Sequence, residues 1–373
     1  MSLLGWILTL AILSGQIVRL PIGSGAINAL DIFVILSVTF YLLKFKLSAT
    51  SQPIKAAFLF IAIAFVSLFS TPLKLTNQEW AISFSYIVRL TLYVMFAHIL
   101  FSDALKNLKT RIVDVLTLSG VALAILGLLQ LLILPDLKFL IPLGWDPHYL
   151  RTVSTFLDPN FAGAYFVMTL ILIFHTPKSK LYYMSFIIVY LALLTTFSRS
   201  SYGMFLISLT AFSILKKSWK LQIITVLLFI LLMTGFHLYT LAISQPRHID
   251  RTESATSRIS TWQQGLEIFK QNPILGVGFN AYRYAIREYH LADDQFLKSH
   301  GSSGNDSSLL FVLSTAGMIG FTSYIYFLYA LARSNSKITI PAICGLLFAS
   351  LFANSLFFPP ILLWLLILGV PKK

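Results

Sequence analysis

The chain has 373 residues, of which 57% are hydrophobic and 11% charged, with a mean hydropathy of +0.80. Soluble domains carry about 25% charged residues, so a freely soluble protein is excluded and an integral membrane protein is indicated. The net charge of +14 reads mostly as membrane topology and not as a nucleic-acid footprint.

A helix needs roughly twenty apolar residues to cross the hydrocarbon core. Stretches of that kind fall at about 3–20, 25–43, 54–70, 80–101, 112–134, 160–175, 181–198, 201–215, 219–241, 305–331, 338–356 and 358–370. Only Phe357-Phe358-Pro359-Pro360 separates the last two, so eleven spans is the alternative to twelve. Barrel strands would alternate apolar and polar residues over about ten positions, and these stretches do not. The expected fold is an all-α, polytopic transmembrane bundle forming one membrane domain over 1–373. Met1 to Leu20 lacks a basic leading segment and reads as a first span, not a cleaved signal peptide. The single cysteine, Cys344, lies in a predicted span, so packing and not a disulfide must order the loops.

One window breaks the pattern. Residues 242–303 hold seven of the 28 Lys and Arg residues and three of the seven His, together with many of the acids. With the N-terminus cytoplasmic, the inner loops and tail carry fifteen basic residues and the short outer loops five: Arg19, Lys74, Lys138, Arg151 and Arg199. The excess of positive charge marks the inside. Both termini are therefore expected in the cytoplasm, with the long polar segment outside.

An ionised side chain near the bilayer centre costs about 2.5–3.5 kcal/mol on insertion scales, so each exception asks for a reason. Asp31 sits early in the second span beside Asn28; Arg89 lies within the fourth; Asp306 opens the tenth; Arg199 occupies the tight turn from Thr196 to Ser201. All four fall in the expected outer half. Each also has a plain reading. Arg199 suits a turn whose head reaches the headgroups, Asp31 and Asp306 suit helix N-termini, and Arg89 needs a partner that Asp31 can supply.

Within the polar window, Ser257 is a candidate N-cap, and Ile259, Trp262, Leu266 and Phe269 recur at helical spacing. Asn272-Pro273 ends that helix, and Gly276 and Gly278 mark a bend. A second amphipathic stretch near 279–290 places Arg283 and Arg287 on one face, as a solvated surface or a contact for lipid phosphates. Arg258 near a helix start opposes the helix dipole, which an anionic partner would explain. No metal motif stands out, and no phosphate-binding GxxxxGK[ST] loop is present. ATP-driven transport by this chain alone is excluded.

Four stretches together resemble the O-antigen ligase and polymerase family of membrane glycosyltransferases. They are Arg151-Thr-Val-Ser-Thr-Phe156 with Asp158-Pro159-Asn160; Ser198-Arg199-Ser200; Arg258, Trp262 and the run Asn272-Pro273 to Gly276 and Gly278; and Leu310 through Gly317 to Gly320. The resemblance covers about residues 150–320. In one departure, the family often has His-Asn eleven residues before the first glycine of the last motif, where this chain has Asp306-Ser307.

The resemblance implies transfer of a glycan from a polyprenyl-diphosphate carrier to an acceptor lipid or glycan hydroxyl, with inversion and without cofactor or metal, in a bacterial cytoplasmic membrane. Guanidinium groups suit the departing diphosphate. Arg199 and Arg258 are the expected diphosphate ligands, with Arg151 or Arg89 assisting. Asp306, or alternatively His300, is the expected base, and a carboxylate in that role needs burial to raise its pKa. Ligase and polymerase remain alternatives, and no nucleic acid is expected as partner. The rival reading is a transporter or flippase of lipid-linked oligosaccharides. Against it stand the absence of an internal repeat and ionisable groups near the outer surface instead of the midplane. A scaffold role would leave Arg89 and Arg199 unexplained.

Overall fold

The computed structural model describes residues 2–22, 25–46, 50–100, 105–176, 179–243, 251–293, 296–297 and 304–369. Among these, a helix occupies each of the twelve apolar stretches. In chain order they are α1 (Leu3–Ser14), α2 (Ala29–Lys44), α3 (Gln52–Phe69), α4 (Asn77–Leu100), the short α5 (Lys106–Thr110) outside those stretches, α6 (Ile112–Ile133), α7 (Pro159–His175), α8 (Lys180–Thr195), α9 (Arg199–Leu215) and α10 (Trp219–Ile243). The polar segment contributes α11 (Arg251–Gln271) and α12 (Tyr282–Glu288), and α13 (Ser308–Ser334), α14 (Ser336–Ala349) and α15 (Pro359–Gly369) follow. Five helices among the described residues, α3, α4, α6, α10 and α13, are long and apolar enough to cross a membrane. Several others are apolar but short. The 11-residue α15 rises only about 16 Å, roughly half the hydrocarbon thickness.

The structure departs from the predicted spans where tertiary contacts unwind the backbone. The first helix ends at Ser14, not near residue 20. Gly15 takes φ 51, and the N–H of Gln16 donates to the carbonyl of Thr155 at 2.8 Å. The chain then forms an antiparallel hairpin, β1 (Arg19–Ile22) with β2 (Gly25–Asn28). Asn28 starts α2 through a reciprocal capping box with Asp31. The break between the last two helices is also wider than Phe357 to Pro360, because a turn and the 3-10 segment Ser355–Phe357 intervene. α11 begins at Arg251 and not after Ser257; residues 251–257 contain no glycine or proline to stop the helix.

α9 lies among α7, α10 and α14. Small residues permit the close approach to α14: a Cβ on Gly345 would overlap Ser208, and one on Gly203 would overlap Phe348. α10 is the peripheral element, exposing Ile223, Leu227, Ile230, Leu231 and Leu238. Such an apolar outer surface suits lipid, not water.

The polar segment is fastened to the bundle through a break in α13. Gly317 adopts φ 65 and ψ −168 within that helix. The N–H groups of Val277 and Gly278 donate to the carbonyls of Ser314 and Thr315 at 3.1 and 3.0 Å, and those of Met318 and Ile319 donate to Pro273 and Ile274 at 2.9 and 3.3 Å. From α3, Ser67 Oγ donates to the Thr315 carbonyl at 2.7 Å. Just beyond that helix, Thr71 Oγ1 donates to the Val277 carbonyl at 2.5 Å. The loop thus replaces the hydrogen bonds the helix gives up, as a low-polarity environment requires. A Cβ on Gly317 would overlap the Ile274 carbonyl, and one on Gly276 the backbone of Thr315 and Ala316. Gly317→Ala and Gly276→Ala should each lower stability by at least about 1–2 kcal/mol from the left-handed backbone alone, with the overlap adding to it. Gly235→Ala, which meets only the end of the Leu194 side chain, should cost less. Thermal unfolding in detergent checks this; equal melting shifts for all three would contradict the docking.

Candidate functional site

Two helix N-termini meet on the side of the bundle that carries the polar segment. α7 starts at the N-cap Asp158, whose carboxylate accepts from the N–H groups of Asn160 and Phe161 at 2.6 and 3.1 Å. Proline at the next position suits a first helical turn. α9 starts at the N-cap Ser198, which accepts from the N–H of Ser201. The two turns are tied together: Ser198 and Ser200 donate to Asn160 Oδ1 at 2.8 and 3.1 Å, and Ser201 donates to the Asn160 carbonyl at 3.3 Å. Arg151 holds the turn from the other side, donating from Nε to the Thr196 carbonyl at 2.8 Å and from Nη2 to that of Phe197 at 3.3 Å. Its charge therefore sits at the negative end of α8. Leu150, Ser154, Leu157 and Phe197 all have φ between 47 and 57, a region non-glycine residues seldom occupy. Strained backbone of this kind is held only where the surroundings over-determine it.

Arg199 is the first residue of α9. Its guanidinium is exposed and lies 5.9 Å from the ring centroid of Phe236 on α10. A cation at a helix start opposes the dipole, and with two N-termini side by side this end of the bundle favours an anion.

Arg258, on α11, lies 5.9 Å from the ring centroid of Phe352. One turn later Trp262 anchors the helix by donating from Nε1 to the Leu351 carbonyl at 2.9 Å. Between them, Thr261 Oγ1 donates to Asp306 Oδ2 at 3.0 Å. Beneath Asp306 is a buried polar platform. Asn305 donates to Tyr282 Oη at 2.8 Å and to the Thr261 carbonyl, and Tyr282 donates to that same carbonyl at 3.1 Å. Asp306 is thus oriented from α11 while standing one residue before the N-cap of α13.

Burial pushes the Asp306 carboxyl above its ordinary range; the hydrogen bond from Thr261 and the charge of Arg258 oppose this, and Asp158 and Asp146 add to it. Asp158 is raised for the same first reason, with its two backbone N–H bonds, Arg151 and Arg258 pulling the other way. Arg258 therefore lies in the field of both carboxyls. Burial, helped by Arg151, pushes the imidazole of His148 down to about 3, so it is neutral, and its Nε2 is buried without a hydrogen-bond partner. Among the described residues no group of three His, Cys, Asp or Glu side chains is placed to hold a metal ion.

Of the residues singled out from the sequence, Arg151 and Arg258 both act on Asp158 and Arg258 acts also on Asp306, and Arg199 heads the adjoining turn through the Asn160 network. Arg151 is engaged with backbone carbonyls and acts as a clamp. Arg89 stands apart, bonded to Asp31 Oδ2 at 2.8 Å and to the Ala26 carbonyl, while Tyr93 donates to Asp31 Oδ1 at 2.9 Å. His300 lies outside the described residues. Arg287 pairs with Glu79 at the edge of a ≈ 290 Å³ cavity between α4 and α12. Asp158, which the sequence offers only within the Asp158-Pro159-Asn160 stretch, joins the site through its coupling to Arg151 and Arg258. Asp146 carried no signal.

Removing Arg89 would strand a buried carboxylate. Arg89→Leu should cost about 3 kcal/mol and lower the melting temperature, whereas Arg89→Leu combined with Asp31→Asn, which removes the charge and keeps an oxygen to accept a hydrogen bond, should recover part of the loss. A double variant no better than the single one would show that the pair is not what holds these residues.

A family model described as O-antigen ligase matches residues 184–325, a region that includes the Ser-Arg turn, α11, Asp306 and the Gly317 break. No curated protein matches the chain. Over that region this membrane protein is similar to the O-antigen ligase family, a glycosyltransferase-like family whose role lies in surface polysaccharide synthesis.

Proposed function

We propose that the chain transfers a glycan from a polyprenyl-diphosphate carrier to an acceptor hydroxyl at the outer face of a bacterial cytoplasmic membrane. The observation that carries this reading is the field shared by Arg258, Asp306 and Asp158, set beside the clamped turn that presents Arg199. The acceptor oxygen attacks the anomeric carbon and forms the new glycosidic bond with inversion. The bond from that carbon to the carrier diphosphate breaks, and the diphosphate leaves with the electron pair. Arg199 and Arg258 bear its negative charge, as fixed guanidiniums do well in a partly desolvated site. Asp306 Oδ takes the acceptor proton. Arg151 contributes by holding the turn, and Arg89 by holding α2 against α4. The reaction needs neither nucleotide nor metal, because the donor is already activated.

Incubation of the purified protein with a polyprenyl-diphosphate glycan and an acceptor tests this directly. Release of free carrier diphosphate with transfer of the glycan is the expected result. Movement of the intact lipid across a vesicle without bond cleavage would establish a flippase instead. Arg199→Ala and Arg258→Ala should each lower transfer by at least ~100-fold while the protein still inserts into membrane; full activity in either variant rejects the mechanism.

The pH dependence follows from the raised carboxyl. Asp306 works as the carboxylate, so transfer is complete above its pKa and lost as the pH falls through it. Because burial raises that pKa, the acid limb should lie above the ordinary aspartate value of about 3.9. Thr261→Val removes a hydrogen bond that favours the carboxylate and should move the limb upward by roughly half to one pH unit. An acid limb unmoved in Thr261→Val would remove Asp306 from the role of base.

A further inference from the structure

At the end of the bundle away from the Ser-Arg turn, the first turn of α3 and the last turns of α13 enclose a groove of ≈ 400 Å³. Pro53, Ala330 and the rings of Tyr326 and Tyr329 form its walls, and Gln52 and Arg333 supply its polar edge. Tyr326 and Tyr329 are both exposed, so the groove opens outward from the bundle. Its polar groups are organised: Arg333 Nη1 donates to Tyr329 Oη at 3.1 Å with the guanidinium 5.9 Å from the ring centroid, and Gln52 Nε2 donates to Tyr326 Oη at 2.5 Å. Ser51, the N-cap of α3, makes no side-chain cap bond, and its Oγ is buried without a partner. Exposed Lys55 and Lys337 lie close by along the chain, in the first turns of α3 and α14.

Both helices are long and apolar enough to span a bilayer, which places the groove at a membrane interface. Tyrosines are favoured at that level, and basic pockets between membrane helices suit anionic headgroups. We propose that this groove is a binding site for an anionic phospholipid. The phosphate pairs with Arg333 and the tyrosine hydroxyls, while the glycerol and upper acyl carbons cover Pro53, Ala330 and the tyrosine rings. The chemistry for a free phosphate is present in the same arginine, but a free anion would leave the apolar walls uncovered, so the lipid is the better fit. The site is independent of the glycan-transfer reading. It also bridges the two helices that, farther along, hold Ser67 against Thr315 beside the Gly317 break.

Native mass spectrometry of the full-length protein in detergent, with phosphatidylglycerol, phosphatidylcholine or inorganic phosphate added, tests the proposal. Wild type should retain phosphatidylglycerol in preference to phosphatidylcholine, and bound phosphatidylglycerol should raise its melting temperature. Arg333→Gln should retain it about fivefold less. Arg111→Gln, which removes another exposed cation, should behave as wild type. Ala330→Phe fills the groove without removing charge and should also lose the lipid; if it fails to fold, the Arg333→Gln comparison decides. Three results would overturn the assignment: equal retention in Arg333→Gln and wild type, equal loss in Arg111→Gln, or displacement of the lipid by millimolar inorganic phosphate.

Discussion

The docking of the segment from Pro273 to Gly278 onto the broken helix α13 is the constraint on which the candidate site depends. A helix that unwinds among apolar neighbours must find new partners for its backbone groups. Here the partners come from the chain that has just emerged from α11. The four backbone hydrogen bonds that close the break at Gly317 therefore also fix where α11 ends relative to where α13 begins. Thr261 sits on α11 and Asp306 just ahead of the N-cap of α13, and the two meet at 3.0 Å. The glycines matter because the two backbones approach too closely for any side chain, and their effect on the site is carried through the rigid packing of the loop.

The second half of the site has a parallel logic. Asn160 joins the starts of α7 and α9, and the close approach it stabilises needs Gly163, where a Cβ would overlap Ser201. Arg151 closes the turn from the α8 side. Serine hydroxyls and one amide thus spend their hydrogen bonds on each other and on the backbone, which leaves the exposed guanidinium of Arg199 as the turn's outward-facing group. A rigid turn with four left-handed non-glycine residues nearby is costly to build by roughly 1–3 kcal/mol per residue. Such strain is retained where placement of a neighbouring group matters more than stability.

Much of this was legible in the sequence, for reasons that differ by residue. Hydropathy located every apolar helix, because burying or exposing apolar surface depends on composition. It overextended the first, because the unwinding after Ser14 depends on Thr155, more than a hundred residues away. The glycines at 276, 278 and 317 announced a bend and a motif, but neither one reveals that the two bends bind each other. Asp31 could be named as a partner for Arg89 from the cost of a lone intramembrane cation, and the pair forms. Ser257 misled because capping logic is local, and the residues before it are equally able to continue a helix. Asp158 stood in the sequence only as part of the Asp158-Pro159-Asn160 stretch; the fold adds Arg258 and Arg151 to its surroundings.

The electrostatics of the site tie the proposed base to the proposed donor. Arg258 lowers the proton affinity of Asp306, and the same guanidinium is the group expected to meet a diphosphate. In the proposed reaction, an arriving diphosphate offsets the cation that Asp306 senses and adds negative charge of its own, so it strengthens the base as the donor binds. The stronger base is of use only while the carboxylate is still unprotonated, which places the ordinary state of Asp306 between two demands. Burial and the neighbouring acids push it up; Thr261 and Arg258 hold it down. Departure of the diphosphate restores the full influence of Arg258 and drives the proton off again. On the proposed mechanism Arg258 serves the leaving group and resets the base, and a neutral residue in its place fails at both.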